Sequence, residues 1–157
     1  MTPVRFAVDR MLGRLVTWLR LIGQDATYGA HLSGRALLRH ASSEQRIVLT
    51  RDRRLLHRSP VPLLLVESHH FRDQLRQVVA AYDLDPFAHI FTRCIRCNDR
   101  VVPVAKAEVR GAVPAYVFES QQRFVRCPRC RRLYWPATHY ARVRDELHAM
   151  SFRDDPL

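Results

Sequence analysis

Long apolar runs are missing from this 157-residue chain. No stretch approaches the ~20 consecutive apolar residues that a membrane-spanning helix needs. The opening segment, MTPVRFAVDRM, has no continuous apolar core ahead of a small-residue cleavage site, so no secretory signal is read there. A cytoplasmic location is the expectation. Glycine is scarce, at five residues, and neither G-x-G-x-x-G nor G-x-x-x-x-G-K-[ST] occurs. That removes the common dinucleotide- and triphosphate-binding classes. Lysine is rarer still, because among 26 basic residues only Lys106 is not arginine.

What is present is a hydrophobic fraction of 47% and a formal net charge of +11. The first allows a packed core. The second points to a polyanionic partner, since guanidinium groups offer planar, forked donors that stay charged at any working pH. No amphipathic helix carries a basic rim and large exposed apolar residues, so nucleic acid is expected and a membrane surface is not.

Short apolar strands alternate with helical patterns over the first half. Residues 4–8 form a strand that ends at Asp9. MLGRLVTWLRLIG follows as a helix with Met11, Leu12, Leu15, Val16, Trp18, Leu19 and Ile22 on one face. Arg10, Gly13, Arg14, Thr17 and Arg20 share the opposite arc, and Gly23 stops the helix. A short strand over DATYG, a helix over SGRALLRHASSE with Ser33 as N-cap, and a strand over RIVLT come next. A short helix over RRLLHR, a strand over VPLLLVES and a helix over about 70–82 complete the series. Such alternation predicts a parallel sheet with helices on both faces; if the strand order is 2-1-3-4, strands 1 and 3 are neighbours. Past DLDPFAHIF the pattern changes to short strand-like pieces at 100–104, 116–118 and 124–125, then a helix near 138–149. The expected division is 1–88 for the α/β unit, 89–150 for a small ribbon with its helix, and 151–157 for a tail.

All four cysteines lie in two C-x-x-C pairs, Cys94/Cys97 and Cys127/Cys130. Paired knuckles of this kind set four thiolates at the corners of a tetrahedron, the usual cage for structural Zn2+. Two disulfides would need an oxidising compartment, and a redox motif would need only one pair. A four-cysteine shell is closed to substrate, so the role expected of it is structural. Around it, RFVRCPRCRRLYWPATHY interleaves arginines, among them Arg131 and Arg132, with Phe124, Tyr134, Trp135 and Tyr140. Arginines track phosphates, and aromatic rings either stack on bases or pack the ribbon.

In an open parallel sheet, sites form beyond the carboxyl ends of the strands. Asp9 follows the first strand and Asp52 the third. Two carboxylates meeting there repel unless a cation lies between them, and hard oxygen ligands select Mg2+ or Mn2+. Arg51 stands ready to position a phosphate, and Asp73 is either a third ligand or a helix-dipole partner. Asp9 and Asp52 also suit the N-caps of the helices that follow them.

FAVDRMLGRLVTWLRLIGQDATYG, RIVLTRDRRLL, RCIRCNDRVVPV and VRCPRCRRLYWPATHY together resemble the Mut-seven C-terminal ribonuclease family, over about Phe6 to Tyr140. The resemblance implies a PIN-like α/β domain, divalent-metal-dependent cleavage of RNA, and a zinc ribbon that contacts substrate. Asp9 matches the acid of the first motif and Asp52 that of T-R-D. Arg14 and Arg20 match the basic face of the first helix, and Asp73 resembles the later acid loosely. One departure stands out. Where the family carries an acid at the start of the second helix, this chain reads His31-Leu32-Ser33-Gly34. The expected activity is metal-dependent RNA hydrolysis; the alternative is an RNA-binding module whose metal cage has degraded.

Overall fold

The computed structural model describes residues 2–136 and 138–153. Four parallel strands, β1 (Arg5–Val8), β2 (Asp25–Thr27), β3 (Ile47–Thr50) and β4 (Leu63–Leu65), lie in the order β2-β1-β3-β4. The register places Ala7 beside Val48 and Val8 beside Leu49. Side chains alternate across the sheet as the pleat demands. Phe6, Val8 and Leu49 enter one buried cluster, and Ala7 and Val48 enter another. Each side chain so buried stabilises the fold by about 1.5–3 kcal/mol if it is a large aliphatic or aromatic one.

The first cluster is closed by α1 (Gly13–Leu21) and α3 (Phe71–Ala81), through Leu15, Leu19, Leu75 and Val78. The second is closed by α2 (Gly34–Glu44), through Leu37, Leu38 and Ala41. Both faces of the sheet are therefore covered, the condition under which short strands can be apolar throughout.

The helix after β1 opens with a 3-10 turn, Arg10–Leu12, before α1 begins. Three residues per turn shift the phase of that segment relative to α1. Met11, expected on the apolar face, therefore stands 53% exposed. Gly23 ends the helix with φ +86°, and a side chain there would collide with the His89 carbonyl. Ser33 occupies the N-cap of α2 but makes no side-chain cap bond. The helix expected over RRLLHR is a single 3-10 turn, Arg53–Leu55.

The second half holds an antiparallel sheet, β5 (Val102–Val104), β6 (Phe124–Arg126) and β7 (Leu133–Tyr134). The strand expected at 116–118 is a helix, α4 (Ala115–Ser120). Pro114 starts it by accepting bonds from the Val117 and Phe118 amides, and Val117 is buried in one cluster with Val113 and Phe124. The last helix, α5 (Thr138–Ala149), was expected to accompany the ribbon. Its Val143 and Leu147, with Met150 beyond it, are instead buried in the cluster of α1 and α3. Residues 154–157 of the expected tail lie outside the described residues. Among the described residues no helix is long and apolar enough to cross a membrane.

Candidate active site and zinc ribbon

Asp9 and Asp52 lie just beyond the carboxyl ends of the two central strands, and one hydroxyl joins them. Thr50, the last residue of β3 and fully buried, donates from Oγ1 to Asp9 Oδ2 at 2.7 Å. The same oxygen accepts the Asp52 amide at 3.0 Å. Asp9 is itself 1% exposed, and its backbone N–H is held by Leu49 O. The expectation that its side chain caps the following helix is not met, because no cap bond forms. Its Oδ1 is buried with no hydrogen-bond partner.

Asp52 behaves differently. Oδ1 caps the 3-10 turn by accepting from the Arg54 amide, and the Arg54 guanidinium grips both carboxylate oxygens at 2.9–3.0 Å. That pairing holds the Asp52 carboxyl below its ordinary range, against an upward push from burial. Arg54 is a surface side chain, so water and salt screen the pair and a stronger cation or anion can compete for either half.

Asp73 lies in the first turn of α3. Its carboxylate accepts from Ser68 Oγ and faces Arg76 at 3.8 Å. It does not join the other acids: among the described residues, only the four cysteines form a group of three or more with ligand atoms within 4.8 Å of one another. Asp9 and Asp52 are the two acids at the carboxyl edge of the sheet, and they differ in how their oxygens are engaged. Asp9 offers a buried oxygen with nothing bound to it, and Asp52 becomes available when Arg54 gives way.

The expected phosphate-binding arginines fall into three situations. Arg51 reaches past the end of β4 to His69 Nδ1 at 2.7 Å. Arg14 is exposed, with its guanidinium 3.9 Å from the centroid of the Phe71 ring. Arg20, expected on a basic face, is only 6% exposed and donates to the carbonyls of Ala26, Ile95 and Arg96. It secures the first cysteine knuckle to the sheet.

The two knuckles repeat one backbone design. Cys94 N–H binds Asp99 O, and Asn98 N–H binds Cys94 O. Cys127 N–H binds Arg132 O, and Arg131 N–H binds Cys127 O. Asn98 and Arg131, at matching positions, both take left-handed conformations, φ 69° and 67°. None of the cysteines is in a disulfide. Burial pushes the Cys94 thiol up, but hydrogen bonds from the Tyr134 hydroxyl and the Cys97 and Arg96 amides bring it down to about 7. Burial and the neighbouring sulfurs drive Cys97 up to about 12. Four thiols this close resist sharing negative charge, and a divalent cation relieves that cost. The cluster is a possible zinc site.

Arg131 and Arg132 are exposed on the second knuckle. Trp135 packs on Phe124, with ring centroids 6.3 Å apart, and Tyr140 on Phe91 at 6.2 Å.

One family model, the Mut7-C RNAse domain, matches residues 4–147 of the chain. The chain belongs to the Mut7-C RNAse family. No match was found among curated proteins or among solved structures. Membership implies a ribonuclease-like function and RNA as the substrate class.

Sequence reasoning missed Thr50 as the link between the acids. It also missed the group that joins the Mut7-C sheet to its ribbon. Asn98 Oδ1 accepts the Ala26 amide at 2.9 Å, and its Nδ2 donates to Asp25 Oδ1 at 2.8 Å. Asp25 is also paired to Arg46 at 2.6 Å. An asparagine directly after a C-x-x-C pair, and an arginine at the start of a buried strand, were the available signals.

Proposed function

We propose that the protein is a divalent-metal-dependent ribonuclease that hydrolyses RNA phosphodiester bonds, with Asp9 as the principal metal ligand and Asp52 as the second. The observation that supports this most is the Asp9 carboxylate: buried, held by Thr50 on one oxygen, and without a partner on the other. A buried acceptor left unsatisfied costs about 1–3 kcal/mol, and more when charged, so such an oxygen calls for a cation or a bound water. Mg2+ or Mn2+ held there supplies a Lewis acid that activates water and offsets charge on the phosphate. Thr50 fixes the carboxylate's orientation. In this reading Arg14 and Arg51 would receive the phosphate, and Arg131 and Arg132 would extend the contact along the RNA. Zn2+ in the four-cysteine cage is structural, and reduced thiols suit a cytoplasmic setting.

The second reading, an RNA-binding module without cleavage, is favoured by the Arg54 grip on Asp52 and by Ser33 where the family carries an acid. One variant separates them. Asp52→Asn keeps the size and most of the cap, since Asn and Asp cap about equally well. If Asp52 is a ligand, this change abolishes most cleavage of a labelled single-stranded RNA in Mn2+ and weakens Mn2+ binding in calorimetry, with folding intact. Equal cleavage by wild type, Asp9→Asn and Asp52→Asn rules out the metal site. A wild type that binds RNA but neither cuts it nor takes up Mn2+ leaves the binding module.

A further inference from the structure

A groove of about 800 Å³ runs between the α/β unit and the ribbon, and neither Asp9 nor Asp52 lines it. One wall is Arg14 and Trp18 of α1 with Phe71 and Arg72 of α3; the other is Arg132 to Trp135 of the ribbon, with Arg142 of α5 beside it. Trp18 and Phe71 stack at 6.0 Å with 23° between their planes, and Arg14 lies over the Phe71 ring. Four arginines line the groove against a single acid, Glu146, which is already paired with Arg72. Arg132 and Arg142 have no ion-pair partner among the described residues.

We infer that this groove binds the unpaired bases of single-stranded RNA. Aromatic rings set beside Arg132 and Arg142, which have no ion-pair partner among the described residues, suit a ligand that is π-faced and polyanionic at once. The volume exceeds the lower end of small-ligand pockets, about 300 Å³, and leaves room for more than one nucleotide. Topology gives the groove a direction. Helices α1 and α3 each follow a parallel strand, so their first turns, which carry Arg14, Phe71 and Arg72, lie at the carboxyl edge of the sheet with Asp9 and Asp52. Bases held along the groove lead the backbone toward the acids. This deepens the ribonuclease reading and rests on it for the identity of the polymer.

Trp18 and Trp135, the only tryptophans in the chain, stand on opposite walls, so intrinsic fluorescence reports on the groove directly. The full-length zinc-loaded protein is titrated with a labelled oligouridylate in the absence of added Mg2+ or Mn2+, following tryptophan emission and, separately, the label's anisotropy. Saturable quenching with the same midpoint as the anisotropy change is expected, and annealing the oligonucleotide to its complement should abolish the quenching. Arg132→Ala with Arg142→Ala, both exposed positions, should lower the salt slope of binding by about one to two units. Trp18→Leu should weaken binding roughly 5- to 100-fold, and Trp18→Phe should keep the affinity while losing part of the signal. Anisotropy without quenching puts the RNA elsewhere and overturns the groove while leaving RNA binding in place. Equal quenching by the duplex, or by polyglutamate, overturns base recognition. No anisotropy change at all overturns the RNA reading and the groove together.

Discussion

Thr50 and Asp9 form a unit in which neither residue is explained without the other. The carboxylate is buried, and the threonine hydroxyl is the one donor it has among the described residues. Thr50→Val keeps the shape and removes that donor, along with the acceptor for the Asp52 amide. Stability in urea should fall by about 1–3 kcal/mol with an unchanged m-value, the cost of orphaning a buried acceptor. Thr50→Ser restores the hydroxyl and should recover most of the loss. A Val variant within about 0.5 kcal/mol of wild type, the scatter of ordinary surface substitutions, would mean that Asp9 draws its stability from another donor. Arg20 carries the opposite lesson for sequence reading. A helical wheel placed it on a solvent face, but tertiary carbonyls from the knuckle satisfy its guanidinium, and a buried arginine of that kind has no signature at helical spacing.

At the scale of elements, hydrophobic periodicity carried most of the fold. Leu15, Leu19 and Ile22 recur at helical spacing, and the short apolar strands admit few arrangements besides a doubly covered parallel sheet. It failed where local chemistry competes with period. Tyr116–Phe118 reads as β-forming, yet Pro114, whose carbonyl accepts the Val117 and Phe118 amides, starts a helix there. The positions of Asp9 and Asp52 beyond the strand ends and the gathering of the four cysteines were legible, from strand order and C-x-x-C spacing. The Arg54 grip was not, because it depends on a rotamer. Nor was the junction at β2, where Asp25 meets Asn98, Arg46 and Arg93. Burial alone would raise the Asp25 carboxyl, but hydrogen bonds from Arg46 and Asn98 and the charges of Arg46 and Arg93 bring it below its ordinary value. A carboxyl depressed on folding contributes stability that is complete above its unfolded pKa of about 3.9 and is lost as pH falls through the folded one. Acid titration of stability should therefore show a limb below about pH 4 that Asp25→Asn flattens. An unaltered limb in the variant would assign it to other carboxylates.

Across the whole molecule, the ribbon is tied to the sheet at both ends of its sequence. Asn98 and Arg20 fix the first knuckle to β2 and α1, and α5, which follows the ribbon, is buried against α1 and α3. Loss of zinc should thus not propagate simply from the knuckles to the end of the chain. Structural Zn2+ contributes folding free energy directly, and the cluster of Val109, Val113, Val117 and Phe124 is small. Chelation, or Cys127→Ser, should therefore melt β5, α4, β6 and β7. Helix α5 faces a different balance. Burial of Val143, Leu147 and Met150 contributes about 1.5–3 kcal/mol for each side chain. That packing is against α1 and α3, which the loss of zinc leaves in place, so α5 is expected to stay docked. Hydrogen exchange on reduced protein, with and without chelator, should show amide protection vanishing over 102–134 while 140–149 keeps most of its own. Simultaneous loss of both would make the ribbon and α5 one cooperative unit; protection in both after zinc is demonstrably gone would show that the cysteines fold the ribbon without metal. The expected outcome also sets a consequence for binding. Arg132 to Trp135 form one wall of the groove, so a zinc-free protein should lose RNA affinity in the same anisotropy assay while Mn2+ uptake at Asp9 is left unchanged.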